Sequence, residues 1–290
     1  MLEVLLIVAS GYLLRKIGVF KKEDARVFIN YVIYLALPVV SFRSAHSLGI
    51  SKSVIFVVLL AWIAIIFCLV VSFILGKVLR LKGSDLRTFL LVSSFGNTAF
   101  LGYPYALSFF GQEGLRYAVI YDSLGSFLLV STVGFLISRG SVNLKELFTF
   151  PPFIGLVLGF SLRSYNFDTA LKGALDTLAF SLSPVILFAL GLSVSFVGIK
   201  RYLSISLFAL FIKMVVSFLI TYQVAKALKM EPLAFKISLL ESSMPSMMMS
   251  GVLALKYGLN HELAFASIGL GLLFSFVIVP LLFHLFLASV

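Results

Sequence analysis

The chain has 290 residues, of which 61% are hydrophobic and 12% are charged, and its formal net charge is +11. A soluble domain of this size needs far more polar surface, so the composition excludes a soluble protein and makes lipid the solvent for most of the chain. Lys and Arg lie between apolar stretches and form no patch interleaved with aromatic residues, which excludes a nucleic-acid-binding protein.

Apolar segments of membrane-spanning length follow one another along the whole chain. A helix needs about 20 predominantly apolar residues to cross a bilayer core. No basic stretch precedes the first segment, which therefore predicts a membrane helix and not a cleaved signal peptide. Segments 1 to 10 are predicted at 2–18, 25–45, 53–79, 86–110, 115–137, 148–163, 170–195, 202–228, 232–256 and 262–288. The sequence thus predicts an all-α polytopic membrane protein with ten transmembrane helices.

The distribution of positive charge predicts the orientation of these helices. Lys and Arg are more numerous in the loops that follow odd-numbered segments than in the other loops. Loops rich in Lys and Arg stay in the cytoplasm. We therefore predict a multi-pass protein of the cytoplasmic (inner) membrane with both termini outside.

The two halves of the chain share a pattern. A shift of 146 residues lays segments 1–5 on segments 6–10, aligning Pro38 with Pro184 and Asp85 with Glu231. A unit of five helices must return inverted in the membrane, and inverted repeats are typical of secondary transporters. The pattern predicts a first repeat at 1–140 and an inverted second repeat at 147–290. The alternative is that any ten evenly spaced helices align with themselves.

Two segments contain helix-breaking residues near their middle. Gly96, Asn97 and Thr98 fall inside segment 4, and Ser243 and Pro245 fall inside segment 9. Proline removes a backbone donor, glycine weakens a helix, and Asn and Ser favour N-caps. Each segment is therefore predicted to form two half-helices joined by an unwound stretch. An ordinary proline kink is the alternative.

Two such breaks at matching places predict a binding site inside the membrane. The second half-helices would begin near Asn97 and Pro245, with free N–H groups and positive dipole ends. Such ends attract an anion by roughly 0.3–2 kcal/mol each. We therefore expect a small organic anion, such as a carboxylate, to bind between them.

The strings SSFGNTAFLGYPYALSFFG and ESSMPSMMMSGVLALKYGL, with most of the remaining chain, resemble the auxin efflux carrier family, which includes the plant PIN-formed exporters. The resemblance implies crossing broken helices 4 and 9, a homodimer and export by an elevator-type movement. Helices 1, 2, 6 and 7 would form the scaffold, and helices 3–5 and 8–10 the transport unit. Asn97 matches the substrate-binding asparagine and Pro245 the proline of the second crossing. Gly96 replaces a proline of the plant exporters and Ser246 a glutamine, so the resemblance does not identify the substrate.

Ionisable residues inside the predicted membrane helices are candidates for ion coupling, because burying a charge in a bilayer is unfavourable. Glu241 precedes Pro245 by one helical turn, Asp122 lies in segment 5 and Lys213 in segment 8. Burial favours the neutral form of a carboxyl group, which suits proton binding, and a carboxylate also ligates Na⁺. The alternative is a structural ion pair, such as Glu241 with Lys213.

Other classes of function find less support. His46, His261 and His284 are isolated and lack the spacing of zinc ligands or a catalytic triad, and no phosphate-binding loop is present. We therefore expect no enzyme, no metal and no cofactor. The predicted site residues are Gly96, Asn97, Thr98, Ser243, Pro245 and Ser246, with Glu241 and Asp122 as coupling candidates. The prediction is a secondary carrier that exports a small organic anion. The main alternative is a Na⁺- or H⁺-coupled symporter or antiporter of the bile-acid-transporter type, and a channel is a further one.

Overall fold

The computed structural model describes residues 2–48, 51–140, 148–194 and 198–286, and within these ranges all regular elements are helices. We number them in chain order as α1 (Leu2–Lys16), α2 (Lys22–Ser47), α3 (Lys52–Val78), α4 (Gly83–Ser94), α5 (98–110), α6 (112–139), α7 (Pro151–Ser161), α8 (Thr169–Ser193), α9 (Ile199–Ala227), α10 (Pro232–Ser242), α11 (Met248–Lys256) and α12 (His261–Phe286).

Six helical stretches are long and apolar enough to cross a membrane: Lys22–Ser47, Lys52–Val78, Thr98–Arg139, Thr169–Ser193, Ile199–Ala227 and His261–Phe286. On α3, large apolar side chains such as Ile66, Val70 and Ile74 are about half exposed or more, as expected of a surface that faces lipid. These findings confirm an all-helical, multi-pass membrane protein. The count of ten spanning helices and the inverted repeats stay predictions.

A glycine separates α5 from α6. An uninterrupted helix over Thr98–Arg139 would hold 42 residues and measure about 63 Å, roughly twice the bilayer core. Gly111 interrupts this run with φ 64° and ψ −159°, a conformation that residues with a Cβ rarely adopt. The interruption falls between predicted segments 4 and 5.

Both predicted half-helix pairs are present. Segment 4 is divided into α4 and α5, and segment 9 into α10 and α11. The boundary between the predicted repeats, with Lys145, falls on 141–147, and the chain ends at 1 and 287–290, so these lie outside the described residues. The location of the termini and the division at 140 and 147 stay predictions.

Two pairs of helices pack closely against each other. α1 packs against α8, and α7 packs against α2. Small residues allow the first contact, since a Cβ on Gly191 would collide with the carbonyl oxygen of Val8 and would lie 3.0 Å from the Cα of Gly11. In the second contact, Gly155 of α7 lies against the backbone of Pro38. Such glycines let membrane helices approach closely.

We expect Gly191→Ala to lower the melting temperature of the purified protein by several degrees. The added methyl group has no space between α8 and α1, and overpacking of this kind destabilises by about 1–3 kcal/mol. Gly173→Ala in the same helix is the matched control, because its added Cβ meets no atom within 4 Å. The control should melt at the wild-type temperature or above, since Ala favours a helix over Gly by about 1 kcal/mol. Equal melting of both variants would contradict the packing argument.

Candidate functional site

The two helix interruptions contact each other. We call residues 95–97, between α4 and α5, and residues 243–247, between α10 and α11, the paired breaks. The N–H of Asn97 donates to the carbonyl of Pro245 at 2.8 Å, and the N–H of Met247 donates to the carbonyl of Phe95 at 2.9 Å. Gly96 and Ser246 thereby form an isolated antiparallel bridge. The bridge satisfies backbone groups that the breaks release from the helices, which lipid cannot do.

Local chemistry explains why the chain unwinds at these points. Pro245 has no N–H to donate to a helix, so the regular hydrogen-bond pattern cannot pass through it. Asn97 has φ −79° and ψ 60°, outside the helical region, and its carbonyl accepts from Leu101 at 3.2 Å and Gly102 at 3.1 Å. α5 therefore begins directly after Asn97, and its first N–H groups have no preceding helical carbonyl to bind.

A cavity of about 130 Å³ lies beside the paired breaks. Asn97, Pro245 and Ser246 contribute to its lining, and among the described residues around it Lys22 is the only charged one. The Lys22 ammonium lies 5.9 Å from the ring centre of Phe265. The remaining lining residues are mostly apolar: Leu101, Leu190, Ser193, Val194, Met248, Phe265, Ile268, Gly269 and Leu272. The cavity thus combines apolar walls with one amide side chain and one cation.

The side chain of Asn97 is the polar group best placed to bind a ligand. Asn97 is 6% exposed and lines the cavity, and its carboxamide forms no hydrogen bond with any described residue. A carboxamide offers two N–H donors and one oxygen acceptor, and a buried polar group without a partner is unfavourable. Among the described residues, the site therefore holds hydrogen-bonding capacity that no other group uses.

The other predicted site residues have different surroundings. Thr98 donates to Asp122 at 2.5 Å, Ser243 to the carbonyl of Leu240 at 2.7 Å. Neither hydroxyl nor Gly96 is among the groups that line the cavity. Ser246 lines it, although its hydroxyl donates to the carbonyl of Val92 at 2.6 Å. A contact of these residues with substrate stays a prediction.

The two carboxylates that are candidates for coupling are both buried, with different surroundings. Asp122 accepts from Thr98 and, at 2.9 Å, from the hydroxyl of Tyr103. Glu241 is 0% exposed and packs against Gly102, and neither of its carboxylate oxygens has a hydrogen-bond partner among the described residues. In the same ranges no group of three or more His, Cys, Asp or Glu could hold a metal ion.

Lys213 and Glu241 are neighbours without a direct ion pair among the described residues. The Lys213 ammonium instead donates to the carbonyl of Ser242 at 2.7 Å. Asp176, in the first half of α8, is by contrast partly exposed and forms an ion pair with Arg43 near one end of α2. In the described part of the chain, one buried cation and two buried carboxylates therefore lie around the paired breaks.

The sequence patterns did not indicate every residue of the site. Lys22 is the first residue of α2, before the apolar part of that helix, and only the packing of α2 near α8 and α12 places it on the cavity. Tyr103 follows the break in segment 4 and holds Asp122, with no motif to mark it. Tertiary contacts, and not the spacing of residues in the sequence, mark Lys22 and Tyr103 as part of the site.

A family model described as membrane transport protein matches residues 1–143 and 138–283 of the chain. An uncharacterized transporter of Methanocaldococcus jannaschii is 33% identical over 294 residues, which cover 97% of this chain and 96% of the relative. An uncharacterized transporter of Methanothermobacter thermautotrophicus is 30% identical over 296 residues, which cover 97% and 95% of the two chains. The chain therefore belongs to the membrane transport protein family, the auxin efflux carrier family that its motifs resemble.

Proposed function

We propose that this membrane transporter is a secondary carrier that exports a small organic anion, such as a carboxylate, through the cavity at the paired breaks. The observation that carries the proposal is the buried Asn97 carboxamide, which lines the cavity and has no partner among the described residues. Lys22 supplies a positive charge to the same cavity, and among the described residues no acidic side chain lines it. The charge around the cavity thus favours an anion.

The shape of the anion follows from the cavity walls. The starts of α5 and α11 lie at the cavity through Asn97 and Met248, so free N–H groups of two helix ends are close to it. Most of the remaining surface is aliphatic or aromatic. An anion with a compact charged group and an apolar body fits both parts. The carboxylate of such a ligand would contact the Asn97 amide, the free N–H groups and Lys22. Its apolar body would contact the apolar walls.

The packing supports an elevator-type movement. The α1–α8 and α7–α2 contacts join the helices predicted to form the scaffold, and the shift of 146 residues maps the first pair onto the second. The cavity lies between α8 of this scaffold and the paired breaks of the predicted transport unit. Sliding of the breaks along the scaffold would carry the site across the membrane.

A second cavity marks the opposite end of the same scaffold. It has a volume of about 220 Å³, and its lining includes Arg43, His46 and Lys172. Lys22 and Ser47 are the ends of α2, which has 26 residues and a length of roughly 39 Å. The two cavities therefore lie toward opposite ends of one membrane-length helix, as alternating access requires. Homodimer formation completes the proposal, on the strength of the family resemblance alone.

Glu241 gives specific support to the rival proposal of a Na⁺- or H⁺-coupled transporter. Its carboxyl group is fully buried without a hydrogen-bond partner among the described residues, and Asp122 lies close enough to interact with it electrostatically. A bound proton or cation would neutralise the carboxylate and remove the cost of burying its charge. The two proposals differ in what drives uptake, and transport measurements separate them.

We expect Asn97→Ala to weaken binding of a carboxylate ligand by about 10- to 100-fold, because hydrogen bonds to charged groups contribute about 1.5–3 kcal/mol. A thermal-shift screen of small carboxylates on the wild type supplies the ligand, since binding to the folded state raises the melting temperature. Asn30→Ala is the matched control, because Asn30 is exposed on α2 and away from the cavity. Wild-type affinity in a folded Asn97→Ala variant would remove the site assignment.

We expect Lys22→Gln to weaken binding of the carboxylate but not of its neutral amide analogue, since the change removes charge and keeps most of the side chain. Lys21→Gln changes the adjacent residue, which is exposed and does not line the cavity, and should bind both ligands normally. Isothermal titration of the three proteins with both ligands measures the difference. Equal losses for the acid and the amide would show that Lys22 does not bind the charge.

Uptake by vesicles that contain the purified protein distinguishes the carrier from its coupled rival. We expect transport of the anion to follow an imposed membrane potential, which acts on one charge with about 2.3 kcal/mol per 100 mV. We expect no response to an imposed Na⁺ or pH gradient at zero potential. Accumulation driven by either gradient would favour the coupled transporter. Discrete single-channel currents would favour a channel.

A further inference from the structure

Lys213 is a buried cation that does not line the binding cavity. Lys213 is 3% exposed and lies in a π-helical turn of α9, Phe211–Val216. Its ammonium donates to the carbonyl of Ser242, the last residue of α10, at 2.7 Å. A Cβ on Gly96 would lie 3.0 Å from the Lys213 nitrogen. The charge thus lies against both of the paired breaks.

The groups around this ammonium are those that a bound metal cation would need. α4 and α10 end beside it, and the C-terminal end of a helix carries partial negative charge. The carbonyl oxygen of Ser242 already binds the ammonium. Glu241 precedes Ser242, interacts electrostatically with Lys213, and has two carboxylate oxygens without a hydrogen-bond partner among the described residues. Carbonyl and carboxylate oxygens are the preferred ligands of hard cations.

The ammonium does not serve the cavity. Asn97, Pro245, Ser246 and Met248 line the cavity on the side where α5 and α11 begin, and Lys213 is not among the lining residues. Lys213 contacts the ends of α4 and α10 instead. The paired breaks therefore have two electrostatic sides. The starting helix ends face a site for an anion, and the finishing helix ends face a fixed cation.

Gly96 makes this arrangement possible. An added Cβ at this position would lie 2.7 Å from the Cε of Lys213 and 3.4 Å from the carbonyl oxygen of Met244. The first of these distances is too short for real carbon atoms, so the lysine side chain would have to move. The absence of a side chain at position 96 and the presence of a lysine at position 213 thus belong to one structural feature.

We propose that Lys213 is a tethered cation that occupies a monovalent-cation site formed by Glu241 and the ends of α4 and α10. Its ammonium takes the place of a bound Na⁺, so the paired breaks are neutralised without a coupling ion. Removal of the ammonium exposes the oxygens to an inorganic cation. That the carrier then works without Na⁺ rests on the proposed function, whereas the cation site itself does not.

The test compares Lys213→Met with the wild type in NaCl and in N-methylglucamine chloride of equal ionic strength. We expect the melting temperature of the wild type to be the same in both salts. That of Lys213→Met should fall in N-methylglucamine and rise saturably by several degrees with Na⁺, because a ligand of the folded state stabilises by mass action. Lys226→Met, in the same helix, is the matched control, since the Lys226 ammonium lies over the Tyr222 ring.

A second variant tests whether the Glu241 carboxylate is the protein group that binds Na⁺. The Lys213→Met/Glu241→Gln double variant should lose the response to Na⁺, because the amide carries no negative charge. Should Lys213→Met fail to purify in N-methylglucamine, recovery in Na⁺ alone supports the site, and failure in both salts, repeated for Lys213→Gln, overturns it. A saturable Na⁺ response of the wild type, or a folded Lys213→Met that responds to neither Li⁺, Na⁺ nor K⁺, also overturns it. None of these measurements uses the organic anion, so the outcome is independent of the Asn97 experiment.

Discussion

The bridge between the paired breaks is the interaction on which the rest of the site depends. A helix that stops inside a bilayer releases carbonyl and N–H groups that lipid cannot bind, so a single break in this environment is strongly unfavourable. Here each break supplies the partners of the other, through Asn97 with Pro245 and Met247 with Phe95. The hydroxyl of Ser246 adds a bond to the carbonyl of Val92 in the last turn of α4. Because each break needs the other, the two are expected to move as one unit.

This mutual satisfaction has an electrostatic consequence. Two helices end and two begin within a few residues, and the dipole ends of like sign lie on the same side. The starting ends meet the cavity that contains Asn97 and Lys22, while the finishing ends meet Lys213. Under the proposed function, an anion on one side of the breaks would be balanced by the fixed charge of Lys213 on the other. The same geometry explains how Lys213 can be buried without a direct ion pair among the described residues.

The sequence predicted those features that depend on local chemistry. Pro245 cannot continue a helix, and Gly96 with Asn97 weakens one, so the sequence alone predicts both interruptions. Apolar length predicts the approximate positions of the helices and leaves their limits uncertain by a few residues. The sequence does not predict tertiary contacts, because these join residues far apart in the chain. Lys22 lines a cavity together with residues of α8 and α12, and Thr98 donates a hydrogen bond to Asp122. The π-helical turns that carry Asp122 and Lys213 also left no recognisable pattern.

The residue at position 96 affects both the backbone geometry and the charge balance of the paired breaks. The plant exporters that the chain resembles have a proline before the asparagine that Asn97 matches, and a proline would break the helix here as well as glycine does. Glycine has an additional consequence in this chain, because a Cβ at position 96 would lie 2.7 Å from the Cε of Lys213 and would force the lysine side chain to move. The residue that unwinds segment 4 therefore also decides whether a cation can lie at the end of α10. Backbone geometry and charge balance at the paired breaks are thus set by the same pair of residues, and a change at either one alters both.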